Sequence, residues 1–299
     1  WHYFSYLFYV VILFLLIWAS IYGIKVSGSQ RWIDLYFINL QPSELMKIAI
    51  IACLAKYYHR VQLREVNTFK HIFFSLIILV LPILLVITQP DLGTSILIGL
   101  SGLVVMWLSG LNIKYFIYSF LTLLISMPFA ISLLKPYQKL RILTFLNPDR
   151  DPLGAGYQII QSKIAVGSGG FTGKGFLKGT QNYLEFLPEK HTDFIFTLFA
   201  EEYGFLGSLG LLLIYIIIIY RIIKIGSISR SYFAKIFCYG YASSIFFYIS
   251  VNMSMVLGLL PIVGSPLPIM SYGGSSMLAT MIGFAIVMSA KINHKQLIA

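Results

Sequence analysis

HTDFIFTLFAEEYGFLGSLGLLLIYIIIIYRII, residues 191–223, decides what kind of protein this is. From Phe205 to Ile223 the only charged residue is Arg221, and the length matches the roughly 20 apolar residues needed to cross a ~30 Å hydrocarbon core. Ahead of that run stand Lys190, His191, Asp193, Glu201 and Glu202. In lipid a charged group is costly, so these residues belong near a membrane surface. Gly204 is a natural break, which makes residues 193–203 a short helix at or just below the interface, capped near Thr192 or Asp193.

The rest of the chain repeats the pattern. Of its 299 residues 58% are hydrophobic and 11% charged, where a soluble domain carries about a quarter charged. Eight spans are expected, at about 3–23, 41–58, 71–88, 93–109, 114–134, 205–223, 236–260 and 270–290. The fold class is therefore all-α, a polytopic membrane helix bundle. The span at 41–58 is the weakest because it holds Glu44 and Lys47. Cys53 and Cys238 fall inside spans with no metal-ligand spacing, and read as packing residues. The chain begins at Trp1 and enters a span almost at once, as expected of a fragment without its true N-terminus.

Short loops set the orientation. Residues 56–70 carry Lys56, Arg60, Arg64 and Lys70, residues 221–235 carry Arg221, Lys224, Arg230 and Lys235, and the tail carries Lys291 and Lys295. These sides should be cytoplasmic, together with the C-terminus. The net charge of +11 is then mostly a topology signal. Bases scattered at helix ends do not form a nucleic-acid surface.

Residues 135–192 form the long extracytoplasmic loop of this topology, and hold Lys135, Lys139, Arg141, Arg150, Lys163, Lys174, Lys178 and Lys190. A loop of this length is usually functional, and its segment IIQSKIAV has the character of an ordered stretch lying along the interface. The run GSGGFTGKG (167–175) fails the phosphate-loop pattern, since Ser168 stands where Gly is required and Gly175 where Ser or Thr should hold magnesium. Its glycines read as a flexible turn, with Lys174 and Lys178 free to meet an anionic headgroup.

Other motifs cluster at the outer ends of spans. In QPSELMK (41–47) Pro42 suits the first helical position, and Glu44 and Lys47 share a face three residues apart. That is either a neutralised pair in a capped helix or a mark of a substrate path. QPDLGTS (89–95) reads as a turn with Asp91 as helix cap, and in SYGGSS (271–276) Ser271 reads as a cap with small residues for close packing. Asp193 is either a helix-start acid or a general base, His191 is a second candidate for proton transfer, and Glu201 and Glu202 read as polar anchors.

QPSELMK, QPDLGTS, NPDRDPLGAGYQIIQSKIAVGSGG, GTQNYLEFLPEKHTDFIFTLFAEE and PLPIMSYGGSS occur in this order and closely resemble the shape, elongation, division and sporulation (SEDS) family of bacterial membrane proteins. The resemblance covers almost the whole chain and is nearest to the elongation branch. It implies ten spans, of which 1–299 would hold eight in one domain, and a multi-pass protein of the inner membrane with its catalytic side extracytoplasmic. It further implies a peptidoglycan glycosyltransferase that polymerises lipid II, a disaccharide-pentapeptide on undecaprenyl pyrophosphate, beside a class B penicillin-binding protein and the elongation machinery. The family's essential carboxylate carries over to Asp193, and its QPSExxK pair to Glu44 and Lys47.

The expected chemistry is inverting transfer, with Asp193 acting on an acceptor hydroxyl. The departing diphosphate then needs cationic help, for which Arg141, Lys163, Lys174 and Lys47 are candidates. A divalent cation would serve the same end, although the sequence shows no dedicated metal cage. Two rivals are a lipid II flippase and a noncatalytic scaffold. Polar groups gathered at the outer end rather than the midplane, and the absence of an evident inverted repeat, count against the flippase.

Overall fold

The computed structural model describes all residues except 27–28, 35–38, 134–138, 141–142, 146, 148–154, 180–190 and 297–299. Its helices are α1 (Ser5–Tyr22), α2 (Pro42–His59), α3 (Phe69–Thr88), α4 (Leu92–Leu108), α5 (Ile113–Leu133), α6 (Ala155–Ser168), α7 (Ile195–Ile228), α8 (Tyr232–Val256) and α9 (Gly274–Ile292). Between α1 and α2 lies a small antiparallel sheet of β1 (Ile24–Val26), β2 (Ser29–Asp34) and β3 (Asn39–Leu40), in the order β1-β2-β3.

Each expected span coincides with a helix. By length and composition α1, α3, α7, α8 and α9 can cross a membrane, while α4 and residues 113–126 of α5 are shorter apolar helices. The boundaries differ where backbone chemistry intervenes. Helix α7 continues to Ile228 and α8 starts at Tyr232, so Arg221, Lys224 and Lys235 sit on helix rather than in a loop. Helix α8 stops at Val256 because Gly258, at φ 68°, turns the chain and lets the Gly258 and Leu259 amides donate to Met255 and Ser254 carbonyls.

The chain divides into two compact units, with the division falling inside α7 and α8: Trp1–Leu111, Ile217–Tyr248 and Tyr272–Ala299 form one, and Asn112–Ile216 and Ile249–Ser271 the other. In the first, α2 packs against α1, α3, α4 and α9. Every residue from Pro42 to Lys56 is buried, as befits a helix without an amphipathic stripe. Helices α1 and α3 instead expose apolar rows such as Leu7, Phe14 and Ile21, or Phe73, Val80 and Leu84, suited to lipid.

In the second unit α6 buries Ile159, Ser162 and Ala165 at every third position. Ser162 Oγ donates to the Val256 carbonyl at 2.6 Å and lies 3.2 Å from Thr197 Oγ1. The stretch expected to lie along the interface is thus an integral helix of this unit.

The glycine run that follows α6 is an ordered strap. Helix α7 is broken at Gly204 (φ 66°), as its sequence suggested, and a break leaves backbone groups that lipid cannot satisfy. The strap supplies the partners: Lys174 and Gly175 amides donate to the Glu201 and Glu202 carbonyls, both at 3.0 Å, and Phe205 and Leu206 amides donate to Gly170 and Phe171 carbonyls at 2.9 and 3.1 Å. Only glycine fits at the crossing, because a Cβ on Gly173 would collide with the Glu202 carbonyl and one on Gly204 with the Gly173 amide.

Candidate active site

Asp193 sits in the turn 191–194 that precedes α7, two residues before the regular helix rather than inside it. The residue is half-buried and His191 is exposed. Beneath the carboxylate lies Gly264, at φ 69°; a Cβ built there would stand 3.4 Å from Asp193 Oδ2. The Asp193 and Ser265 carbonyls both accept from Asn252 Nδ2, at 2.8 and 2.7 Å. Ser271 Oγ donates to the Thr192 carbonyl at 2.6 Å and accepts from the Leu267 amide at 2.7 Å. Tyr215 reaches the same loop from α7, donating to the Pro268 carbonyl at 2.6 Å.

Two basic candidates lie in the same unit. The Lys163 side chain crosses Gly258, whose missing Cβ would collide with its Cε and stand 2.7 Å from its Nζ. Among the described residues no carboxylate lies within ion-pair distance of Lys163, which is exposed. Lys163 and Asp193 therefore both meet one short segment, 258–264. Lys174 is engaged differently. Its Nζ stands 2.7 Å from Glu201 Oε1, a fully buried carboxylate, so the lysine expected at a headgroup closes the strap instead. Arg141 falls outside the described residues. Among the described residues no three His, Cys, Asp or Glu side chains gather as a metal cluster.

The first unit carries its own polar group. Lys47 Nζ pairs with Glu44 Oε2 at 2.8 Å, one turn apart on α2, and lies 4.0 Å from the Tyr248 ring centroid. Pro42 occupies the first turn, as expected, where its missing amide hydrogen costs nothing. Asp91 does cap α4, accepting from the Thr94 amide at 3.2 Å, yet it does more than its turn motif indicates. Its Oδ2 meets Arg31 Nη1 at 3.2 Å and Gln41 Nε2 at 3.1 Å. Burial raises its carboxyl pKa above the ordinary value, with Arg31 pulling the other way.

Sequence reasoning missed Asn252, Tyr215 and the true role of Ser271. Asn252 was detectable as an amide deep in a predicted span, where a polar side chain usually bonds across helices. Ser271 is not the cap of α9, whose preceding residue is Gly273; Ser275 instead accepts from the Gln41 amide at 2.9 Å and donates to the Asn39 carbonyl at 2.7 Å.

Comparison with known proteins places this geometry in context. The cell cycle protein family of FtsW, RodA and SpoVE matches residues 1–296. The peptidoglycan glycosyltransferase MrdB of Escherichia coli is 45% identical over 290 residues, covering 97% of this chain and 78% of that protein. A chain from a peptidoglycan synthase complex, solved for its structural coordination of polymerization and crosslinking, aligns with TM-score 0.84 at 28% identity over 99% of this chain and 83% of that one. The rod shape determining protein RodA of Thermus thermophilus shares the fold, with TM-score 0.72 at 24% identity over 99% of this chain and 80% of its own.

Proposed function

This chain belongs to the cell cycle protein family of FtsW, RodA and SpoVE and is a peptidoglycan glycosyltransferase of the membrane, and we propose that Asp193 is its general base. The substrate is lipid II, polymerised during cell elongation and rod-shape maintenance. Asp193 takes the proton of the acceptor sugar's 4-hydroxyl as that oxygen bonds to the donor's anomeric carbon. The bond from that carbon to the lipid diphosphate breaks on the opposite face, so configuration inverts and the diphosphate leaves with the electron pair.

The observation that carries this reading is the setting of Asp193: a half-buried carboxylate on a non-helical turn, over a bare glycine. Partial burial removes water that would compete for the hydroxyl proton. Of the bases, Lys163 is assigned first to the diphosphate, since Lys47 and Lys174 are already paired with Glu44 and Glu201. Arg141 and His191 remain substrate-binding candidates, as do Glu44 and Lys47. Residues 1–299 act as one catalytic domain, in the bacterial inner membrane with the C-terminus cytoplasmic and the chemistry outside. The partner is a class B penicillin-binding protein that crosslinks the growing strands.

Glycan-strand formation from labelled lipid II by the full-length protein, purified with that partner, tests the assignment. Asp193→Ala should lower the rate by at least about 100-fold at matched folded fraction. Unchanged polymerisation by this variant would remove Asp193 from the chemistry.

A further inference from the structure

A carboxylate serves as a base only if it is held where the hydroxyl arrives, and a turn outside the helix ladder does not hold itself. The carbonyls of Thr192 and Asp193 belong to the two peptide planes that flank the Asp193 Cα. Fixing both planes fixes φ and ψ at that residue, and hence the direction of its Cα–Cβ bond. Ser271 binds the first carbonyl at 2.6 Å and Asn252 the second at 2.8 Å.

Each of these side chains has a second attachment. Ser271 Oγ also accepts from the Leu267 amide, using its lone pair as well as its proton. Asn252 uses its other N–H on the Ser265 carbonyl. Because both partners of Asn252 are carbonyl oxygens, only the NH2 side of the amide can face them, which settles its orientation chemically. Ser265 adjoins Gly264, the residue under Asp193 Oδ2, so the same amide that orients the aspartate also sets the height of the floor beneath it. Asn252 and Ser265 are fully buried, as is nearly all of Ser271.

We propose that Asn252 and Ser271 are positioning residues for the transfer reaction: two bifunctional side chains that staple the Asp193 turn to the 264–271 loop and thereby aim the carboxylate. This assignment rests on the reading of Asp193 as base. Neither residue touches substrate, and neither acts by charge. Threonine at 271 retains the donor and acceptor, whereas alanine retains neither.

The test uses the full-length protein purified with its crosslinking partner, following lipid II polymerisation against substrate concentration and pH for Ser271→Ala, Ser271→Thr, Asn252→Ala and Asp193→Asn, with folded fraction taken from thermal unfolding. A misaimed base loses turnover rather than affinity. Ser271→Ala and Asn252→Ala should therefore lower kcat by about 10- to 100-fold with KM within about twofold, and move the acid limb of the pH–rate profile. Ser271→Thr should restore both kcat and the limb. The proposal is overturned if the alanine variants lose thermal stability but keep the wild-type kcat and pH profile per folded molecule, or if Ser271→Thr fails to recover what Ser271→Ala loses while folding equally well. Should Asn252→Ala fail to fold, the Ser271 pair decides alone. Asp193→Asn separates the two assignments. An inactive Asp193→Asn beside unaffected staple variants sinks the staple and leaves the base standing, whereas an active Asp193→Asn sinks both.

Discussion

Two ion pairs of nearly equal length, one buried and one with its lysine half-exposed, hold this protein in different ways. Lys47 and Glu44 meet at 2.8 Å within one turn of α2, while Lys174 and Glu201 meet at 2.7 Å across 27 positions of sequence. The first pair is a property of a helix: once α2 forms, residues three apart share a face and find each other. The second is a property of a crossing, made only after the strap has docked on the break at Gly204 and its amides have found the Glu201 and Glu202 carbonyls. Similar electrostatics therefore serve a local purpose in one unit and a topological one in the other.

Breaking the crossing itself should have the largest effect. Gly173 combines φ 80° with backbone contact against Glu202, so Gly173→Ala meets both conformational strain and a collision with an atom that cannot rotate away. A loss on the order of 3 kcal/mol or more is expected, read as a lower unfolding midpoint in detergent. A Gly173→Ala protein as stable as wild type would show that the strap is dispensable.

Reversing each pair sharpens the contrast. Glu44→Lys with Lys47→Glu keeps both charges one turn apart on α2, and should cost about 1–2 kcal/mol from placing a cation near a buried helix start and losing the Lys47–Tyr248 contact. Lys174→Glu with Glu201→Lys should cost more, on the order of 3 kcal/mol, because the ammonium would then occupy the fully buried end of the pair. Space is limiting as well: Glu201 is fully buried with its carboxylate close against Gly179, so a longer lysine there has to push on neighbouring backbone. Equal costs for the two reversals would mean that the crossing imposes no shape of its own.

The smallest effect concerns Asp91, the acid of the first unit that answers to distant partners. Its pKa is raised in the folded state, chiefly by burial, so the stability linked to its protonated form is complete below the ordinary aspartate value of about 4 and is lost as pH rises through the higher folded one. Asp91→Asn should flatten the stability profile in that window upward from about pH 4, by about 1 kcal/mol or less after allowing for the lost Arg31 contact. An unaltered slope would assign the pH dependence to another group.

These differences also measure how far the sequence could be read. The spans were legible because lipid imposes one demand, about 20 apolar residues with internally paired backbone, that leaves its mark on composition. Pro42 with Glu44 and Lys47, the Asp91 cap and the break at Gly204 were legible because each is complete within a few residues. Glycines 169–175 were misread as a flexible turn because the feature that makes them necessary, the open ladder of α7, lies 30 residues further on.

The sequence by itself determined a membrane bundle and the position of its spans, and singled out Asp193 as a candidate base. Tertiary structure alone decided that Lys174 closes a strap, that Asp91 joins Arg31 and Gln41, and that Asn252 and Ser271 converge on the Thr192 and Asp193 carbonyls. The physical reason is range. Hydrophobic length and helix spacing act between near neighbours along the chain, whereas a carbonyl left open by a turn accepts whichever donor the fold delivers, and here the donors come from 59 and 79 residues away.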